Sequence, residues 1–332
     1  MSPRRRIIPI FVPHAGCPND CVFCNQKRIS SSLFPASAQT VRGALDALPA
    51  GTGCELAFYG GSFTAIPAPE QEELLAAAAP YRARGVVDSL RVSTRPDAVD
   101  EASLARLRRY GVGTVELGAQ SMSDRVLRLS GRGHTAEDTV RAAGLVKDAG
   151  LRLILQMMTG LPGSDDASDI DTARRLIGLR PDGVRIYPTV IIRDTALETL
   201  WRRGAYTEHT VEDAVRVCAR IVPMFEEAGI PVIRLGLNPT QELSDGAALG
   251  GAYHPALGEL VRSRILRERA EPLLRACPPG SRVALLVPPR LVSAMTGQHR
   301  ENIRWLCERF SLAEVQVRPD EDDTGEIRIL RL

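Results

Sequence analysis

Three cysteines near the start of the sequence have a spacing that could bind a metal centre. Cys17, Cys21 and Cys24 follow the pattern C-x3-C-x2-C. Three thiolates on one short loop can bind three irons of a four-iron cluster, and they leave the fourth iron without a protein ligand. A second molecule could coordinate that open iron and react there. The spacing therefore predicts a reactive iron–sulfur centre.

A zinc site is the alternative for the same cysteines. His14 precedes them, and three Cys with one His form a common tetrahedral zinc set. Zinc, however, needs no surrounding set of polar motifs, and several such motifs follow along the chain. The other cysteines are dispersed: Cys54, Cys218, Cys277 and Cys307. They indicate neither a second cluster nor a disulfide framework, and we expect them to be small buried side chains in a reducing cytoplasm.

The overall composition is that of an ordinary globular protein. The 332 residues are 44% hydrophobic and 25% charged, with a net charge of +2 that neither indicates nor excludes nucleic acid. No apolar run approaches the roughly 18 residues of a membrane span. The short apolar stretch after Arg4–Arg6 contains Pro9, which favours a first strand over a signal peptide. We expect a cytoplasmic protein with no membrane partner.

Strands alternate with helices at roughly the 30-residue spacing of a βαβ unit. The predicted strands are 6–13, 55–61, 89–94, 113–120, 151–160 and 183–192, and helices are predicted over 102–110, 136–149 and 167–179. This alternation predicts a parallel sheet covered by helices, and six units suit a partial barrel. The expected fold class is therefore α/β, a partial (β/α)6 parallel barrel with a small C-terminal α/β module.

Polar residues or glycines lie at the carboxyl end of each predicted strand. After the cysteine loop of the first strand come Gly60, Gly61 and Ser62, then Ser93 and Thr94, then Gln120, then Gln156 and Met158, and finally Tyr187. In a parallel barrel the carboxyl ends of the strands form the active site. Because polar residues or glycines follow every predicted strand, we expect one central ligand site.

The cysteine loop and the pair Gly60-Gly61 resemble the radical S-adenosylmethionine (SAM) superfamily over roughly residues 6–235. The resemblance implies that Cys17, Cys21 and Cys24 bind a [4Fe-4S] cluster whose open iron is chelated by SAM. It also implies that one electron through the cluster cleaves SAM, leaving methionine and a 5′-deoxyadenosyl radical that abstracts hydrogen from substrate. A flavodoxin- or ferredoxin-like partner would donate the electron.

The resemblance also implies SAM contacts for other residues. Phe23 would lie near the adenine, and the backbone of Gly60-Gly61 would approach the methionine amino group closely. Ser62 stands where many members have an acidic residue. If the glycine pair is not a contact, it is a tight turn.

Further contacts are implied on the later strands. Ser93 or Thr94 would provide a polar contact. Gln120 would contact the ribose and Arg132 would pair with the methionine carboxylate. Gln156, Met158 and Tyr187 would line the cofactor. Arg132 could instead be a solvated surface charge, and Met158 could instead fill the core.

Two branches of the superfamily compete for the substrate. Segments 93–97, 158–163 and 250–255 resemble the elongator catalytic subunit branch, whose full members modify wobble uridine in tRNA and carry an acetyltransferase domain. Nothing after residue 281 is long enough for that domain, so we expect RNA modification, with tRNA as partner, but not acetyl transfer. Gln120 and Arg132 resemble a pair in the oxygen-independent coproporphyrinogen oxidases, which implies a porphyrin-type or other small molecule. A non-catalytic iron–sulfur sensor is the third alternative.

The C-terminal part suggests two further elements after the barrel. We expect a barrel over 1–237, an extension over 238–280 that is loop-like up to 255, and a β-α-α-β module over 281–332. Segment 295–306 resembles the centre of a KH module, in which a G-x-x-G loop clamps nucleic acid, although Arg300 replaces the second glycine. The alternative is an α/β cap with Ile303, Leu306 and Phe310 facing inward.

An arginine-rich helix is predicted over 259–271, ending at Pro272. It could place a cationic stripe against phosphate. Alternatively, Arg264 with Glu268 and Arg267 with Glu271 would form ion pairs on an exposed helix.

Overall fold

The computed structural model describes residues 6–12, 16–18, 20–25, 36–238, 240, 243–320 and 325–332. The chain forms two compact units, Met1–Thr210 with Met224–Tyr253 and Val211–Pro223 with His254–Leu332. The expected domain limits near residues 237 and 280 remain predictions. None of the helices in the described ranges is long and apolar enough to cross a membrane.

Seven parallel strands form the curled main sheet of the first unit. In spatial order they are β1 (Ile7–Val12), β2 (Cys54–Gly60), β3 (Val87–Thr94), β4 (Val112–Gln120), β5 (Arg152–Thr159), β6 (Gly183–Pro188) and β8 (Val232–Leu235). Spatial order follows chain order because each connection returns over the sheet to the next parallel position. The predicted partial barrel is confirmed, and all its carboxyl ends lie along one edge.

The helices of the chain up to residue 227 lie between or after these strands. They are α1 (Ala38–Leu45), α2 (Ala68–Ala76), α3 (Ala79–Ala83), α4 (Glu101–Arg109), α5 (Asp124–Leu129), α6 (Ala136–Asp148), α7 (Asp166–Gly178), α8 (Ala196–Arg202) and α9 (Val211–Glu227). Capping boxes begin α4, α6 and α7, at Asp100, Thr135 and Asp165. Each box satisfies backbone N–H groups that the first turn leaves free, and so determines where the helix begins.

Two expectations about residues 183–255 are wrong. The strand expected over 183–192 divides, because Thr189 donates through its N–H and its hydroxyl to the carbonyl of Thr159, at 2.9 and 2.7 Å. After it, β7 (Val190–Ile192) pairs antiparallel with β9 (Ala248–Gly251) inside the stretch expected to be loop. Gly251 has φ +84°, and a side chain there would meet the Thr189 carbonyl at 2.7 Å. That close approach requires glycine, which made the stretch look loop-like.

The second unit contains the small α/β module. Its later elements are α10 (Leu257–Leu274), β10 (Arg282–Val287), α11 (Val292–Thr296), α12 (Glu301–Phe310), β11 (Glu314–Pro319) and β12 (Arg328–Arg331). Strand β10 is central, with β11 parallel on one side and β12 antiparallel on the other. Ile303 and Leu306 are buried in this core, and Phe310 packs against it. The inward face expected for this helix is therefore present.

Helix α10 corrects two further expectations. It continues past Pro272 to Leu274, since proline removes only one backbone donor while buried Ala270 and Leu274 hold the last turn on the core. Arg264 donates to Glu268 at 2.6 Å as expected. Arg267 is instead buried, with its guanidinium carbon 4.4 Å from the centre of the Trp305 ring. This helix is therefore not a uniformly exposed cationic stripe.

Candidate functional site

One cavity of about 580 Å³ is lined by residues of every strand of the main sheet. Its wall contains all three cysteines of the N-terminal loop. It also contains ten of the eleven other predicted site residues: Phe23, Gly60, Gly61, Ser93, Thr94, Gln120, Arg132, Gln156, Met158 and Tyr187. The strand-end residues that the sequence placed together therefore meet in one space.

Backbone contacts hold the cysteine loop against this wall. Gly16 has φ +69°, and a Cβ there would lie 2.2 Å from the carbonyl oxygen of Ser62. Further along the loop, Val22 donates its N–H to the Ser130 carbonyl at 3.1 Å. The Val22 carbonyl in turn accepts from Leu197 N–H at 2.7 Å, at the start of α8. The described part of the loop is thus in close backbone contact at Gly16 and hydrogen-bonded at Val22, and neither contact involves a metal.

Two cations lie close to the thiols. Arg132 donates from Nη1 to the Sγ of Cys21 at 3.3 Å. Burial raises the pKa of Cys17, and the neighbouring Cys21 raises it further, whereas Arg132, Arg95 and the backbone N–H of Ser62 act against the rise. Positive charge stabilises the thiolate, which is the form that binds metal.

The three thiols fit a cluster better than a single metal ion. All three are free, and within the described ranges no group of three His, Cys, Asp or Glu side chains is arranged to hold one ion. In a cluster each thiolate binds a different iron, so the three sulfurs need not converge on one point. His14, the fourth ligand of the zinc alternative, lies outside the described residues.

Arg132 and Gln120 are both buried at the end of β4. Arg132 is 7% exposed and donates from Nη2 to the Gly118 carbonyl at 2.7 Å, so it is not a solvated surface charge. Gln120 has φ +62°, a conformation uncommon for a residue with a side chain, and its Oε1 accepts from Gln156 Nε2 at 3.3 Å. A Cβ at Gly118 would lie 2.9 Å from Gln120 Nε2, so glycine leaves room for both side chains.

Ser62 is the one predicted site residue that does not line the cavity. It is fully buried, and its hydroxyl lies 3.0 Å from that of Thr94 and accepts from the Arg95 N–H at 3.2 Å. Ser62 therefore ties the end of β2 to the end of β3. Thr94 lines the cavity, but its hydroxyl is shared with Ser62 and with Thr64, 2.6 Å away.

Met158 satisfies both interpretations that its sequence left open. It is 8% exposed in a small apolar cluster with Val126 and Leu161, and it also lines the cavity. Phe23 and Tyr187 pack against the same cluster. These side chains form an apolar patch beside the cysteine loop that could receive a flat ring.

Two buried titratable groups support the neighbouring loops. His134 Nε2 must carry its proton, because it lies 3.2 Å from the Ala119 carbonyl, and burial lowers the pKa of this imidazole to about 4. Asp169 accepts from the Gly160 N–H at 2.9 Å, and burial raises the pKa of this carboxyl to about 7. Burial therefore favours the neutral form of both groups.

Several cavity residues escaped the sequence prediction: Tyr59, Arg95, Glu116 and Arg185. Arg95 makes a two-pronged pair with Asp97, both contacts at 2.9 Å. For Arg185 a signal was present, since it lies between the buried apolar residues Val184 and Ile186 in a predicted strand. Alternation of that kind places the polar side chain on the opposite face of the sheet.

Two protein families have models that match this chain. The family model described as the radical SAM superfamily matches residues 11–176, and the model for the radical SAM C-terminal domain matches residues 181–267. A tRNA uridine(34) acetyltransferase of Methanocaldococcus jannaschii is 36% identical over 132 residues, which are 39% of this chain and 24% of that relative. Human elongator complex protein 3 is 30% identical over 177 residues, 52% of this chain and 31% of that protein.

Solved structures show the same fold at lower identity. Elp3 of Methanocaldococcus infernus with an N-terminal deletion has a TM-score of 0.63 and 23% identity, over 79% of this chain and 63% of that one. Coproporphyrinogen III oxidase of Escherichia coli has a TM-score of 0.53 and 16% identity, over 68% and 53%. The chain matches less than a third of the length of the two curated relatives described. It belongs to the radical SAM superfamily of enzymes, in a branch similar to the elongator catalytic subunit.

Proposed function

We propose that this chain binds a [4Fe-4S] cluster through Cys17, Cys21 and Cys24, binds SAM at the remaining iron, and acts on RNA, with tRNA as the favoured substrate. When bound, the cluster and SAM would supply a 5′-deoxyadenosyl radical for hydrogen abstraction. The observation that supports this most strongly is the shared cavity, which joins the three cysteines to Gln120 and Arg132.

The chain's own residues would orient the cofactor. Arg132 is held between the Cys21 thiol and the Gly118 carbonyl, which leaves its planar guanidinium beside the cysteines to meet a carboxylate. The linked amides of Gln120 and Gln156 offer both donors and acceptors to sugar hydroxyls. The patch of Phe23, Met158 and Tyr187, defined above, would exclude water from one side.

The RNA assignment has support from two sources. The curated relatives described above include a tRNA uridine(34) acetyltransferase. In the C-terminal module, Gln298, His299 and Arg300 are exposed between α11 and α12, and the latter two have φ of 49° and 62°. Asn302 anchors this loop through its Nδ2, which donates to the Ser263 carbonyl at 3.0 Å and the Met295 carbonyl at 3.1 Å. A fixed, exposed loop with a cation suits contact with phosphate.

Anaerobic reconstitution with iron and sulfide, followed by addition of SAM and a flavodoxin- or ferredoxin-type reductant, tests the central proposal. We expect 5′-deoxyadenosine to form and its rate to rise when tRNA is added. Replacing Cys24 by Ala should abolish both cluster and turnover, whereas retained iron with activity would refute the proposal. Stimulation by a porphyrinogen instead of tRNA would favour the second candidate, a small-molecule enzyme, for which Gln120 and Arg132 are the supporting residues.

A point substitution tests whether the loop of Gln298, His299 and Arg300 contacts RNA. Deleting 281–332 would expose Leu266 and Leu274 of α10, which are buried against the module, so a deleted chain would fail for structural reasons. Arg300→Glu should instead raise the Kd for tRNA by about fivefold or more, as expected for losing a phosphate contact. Arg309→Glu, in the last turn of α12, is the control. Equal affinities of the two variants would remove this loop from the RNA interface.

A further inference from the structure

The predicted SAM contact Gln120 lies in a strained turn at the carboxyl end of β4. Gln120 has φ +62°, and Ser121 donates its N–H back to the Ala119 carbonyl at 2.8 Å. A hydrogen bond that spans one residue of positive φ in this way forms a γ-turn of the rare kind. Backbone strain of this sort persists only where surrounding contacts enforce it. The contacts around this turn therefore determine where the Gln120 side chain points.

A bulge in the same strand adds to the rotation at Gln120. In the pairing of β4 with β5, Gly118 lies opposite Gln156 and Gln120 lies opposite Met157. Ala119, between them, is therefore the extra residue of the bulge. A bulge of this kind bends the strand and redirects the side chain beside it. The redirected side chain is that of Gln120, which lines the cavity and accepts from Gln156 Nε2 at 3.3 Å.

His134 holds the Ala119 carbonyl around which the turn is built. This histidine is 4% exposed, and its Nε2 donates to that carbonyl at 3.2 Å. Burial and the nearby Arg132 lower the pKa of the imidazole to about 4, and Arg95 acts in the same direction while Asp97 acts against it. The ring is therefore neutral near pH 7 and carries one N–H, which is the one directed at Ala119. Within the described part of the chain Nδ1 has no hydrogen-bond partner, so the bond to Ala119 is the polar contact of this side chain.

The loop that carries His134 also carries Arg132, the second predicted SAM contact. Arg132 donates from Nη2 to the Gly118 carbonyl at 2.7 Å, and His134 donates to the carbonyl of the next residue. Two side chains of one loop thus bind two consecutive carbonyls of β4. Immediately after the loop, Ala136 donates its N–H to the Asp124 carboxylate at 2.8 Å, which joins the start of α6 to α5. The loop is therefore held at α5 and α6 while its side chains hold the end of β4.

We infer that His134 positions SAM by maintaining the turn that directs Gln120 into the cavity. The inference rests on the SAM-binding part of the proposed function and is independent of the substrate. His134 contacts the backbone of the cavity wall, so it acts on the cofactor through Gln120 and is a positioning residue. Without its N–H the strained turn can return to ordinary strand geometry, in which successive side chains point to opposite faces of the sheet. The Gln120 amide would then lose its place beside Gln156 in the cavity wall.

The test measures the equilibrium Kd for SAM by isothermal titration, with every variant reconstituted to the same iron content. His134→Leu removes the donor, and its Kd should be about tenfold higher than that of the wild type, as for one lost hydrogen bond. His134→Phe keeps a flat ring without the donor and should show the same rise, which covers a failure of the leucine variant to fold. His134→Gln carries an amide N–H at the same position along the side chain, and its Kd should stay within about twofold of the wild-type value.

Two further variants separate positioning from a general loss of structure. Val146 is fully buried near the other end of α6, so Val146→Ala should lower the melting temperature through the cavity it leaves and keep the wild-type Kd for SAM. In the background of Gln120→Ala, adding His134→Leu should raise the Kd by less than about twofold, because two residues that act through one contact are not additive.

The remaining outcomes each count against a stated part of this reasoning. If the wild type binds SAM, and His134→Leu and His134→Phe bind it equally well, the inference fails while the proposed function stands. The inference also fails if His134→Gln binds as weakly as His134→Leu, because the ring volume and not its donor would then matter. Effects that multiply in the double variant would show that His134 does not act through Gln120, which overturns the inference. If the wild type with a complete cluster does not bind SAM, the proposed function fails, and the role of His134 fails with it.

Discussion

Gly16 offers the sharpest test of how the cysteine loop is held. A Cβ at this position would lie 2.2 Å from the Ser62 carbonyl oxygen, 2.8 Å from the Ile66 nitrogen and 2.9 Å from the Ala65 carbonyl carbon. All three are backbone atoms. Ser62 is itself fixed, since its carbonyl accepts from Ala65 and its hydroxyl contacts Thr94. In Gly16→Ala the cysteine loop must therefore move, not the wall.

The required displacement can be estimated from these contacts. Ordinary Cβ contacts begin above about 3.0 Å, so the loop must shift by about 1 Å at Gly16. Cys17 is the next residue and would lose the N–H of Ser62 that points at its thiol. A misplacement of about 1 Å at a reacting centre can lower a rate about 100-fold. The left-handed φ of +69° adds a separate cost of about 1 kcal/mol for alanine.

A matched control separates the two effects. Gly51 has φ +76°, yet nothing lies within 4 Å of a Cβ built there. Gly51→Ala should therefore show the cost of the backbone conformation alone, a fall of a few degrees in melting temperature. Gly16→Ala should show in addition a loss of iron and sulfide per chain and about 100-fold less 5′-deoxyadenosine. If the two variants bind equal amounts of iron and form 5′-deoxyadenosine equally fast, the close backbone contact of Gly16 with Ser62 does not position the cysteines.

Three further outcomes concern stability, each measured by urea denaturation. Arg91→Met leaves Glu55 buried without its cation, so the free energy of unfolding should fall by about 3–5 kcal/mol, and an unchanged midpoint would contradict a buried network. Because burial raises the pKa of Asp169 from 3.8 to about 7, the free energy of unfolding of the wild type relative to Asp169→Asn should fall by up to about 4 kcal/mol as pH rises from 4 to 7. Because burial lowers the pKa of His134 from 6.5 to about 4, the sign is opposite for that group: the free energy of unfolding of the wild type relative to His134→Gln should fall by up to about 3 kcal/mol as pH falls from 6.5 to 4. Identical pH profiles for wild type and variant would refute either assignment.

The sequence predicts which residues line the cavity because parallel strands bring their carboxyl ends together. Once the strand-and-helix rhythm is recognised, every carboxyl end must lie along one edge, and the residues at those ends must meet. That is why Gly60, Gln120 and Tyr187, far apart in the chain, line one space.

The direction of a single side chain at a turn is not determined by that rule. Ser62 follows Gly60, whose φ of +102° rotates the chain after the strand. Its hydroxyl then contacts Thr94, a residue 32 positions later, instead of the cavity. Periodicity carries no information about such a rotation, because it describes only the regular part of the strand.

Long-range partners are also absent from the sequence pattern. The alternation in β6 shows that Arg185 faces away from the buried apolar side, but it does not show that Glu116 and Tyr59 will be there. Likewise the pairing of β7 with β9 joins residues about 60 positions apart through a glycine-rich stretch. These features depend on how the sheet curls, which only the folded chain specifies.

Different forces hold the cysteine loop and the Arg185 side chain in the cavity wall. At the carboxyl edge the cysteine loop is positioned by backbone hydrogen bonds and by the close contact of Gly16 with the Ser62 carbonyl. Arg132 also donates to the thiol of Cys21 there. About 10 Å deeper, side-chain ion pairs hold Arg185 in a network with Glu116 and Arg91. The contacts that position the cysteine loop therefore do not include the ion pairs of Arg185.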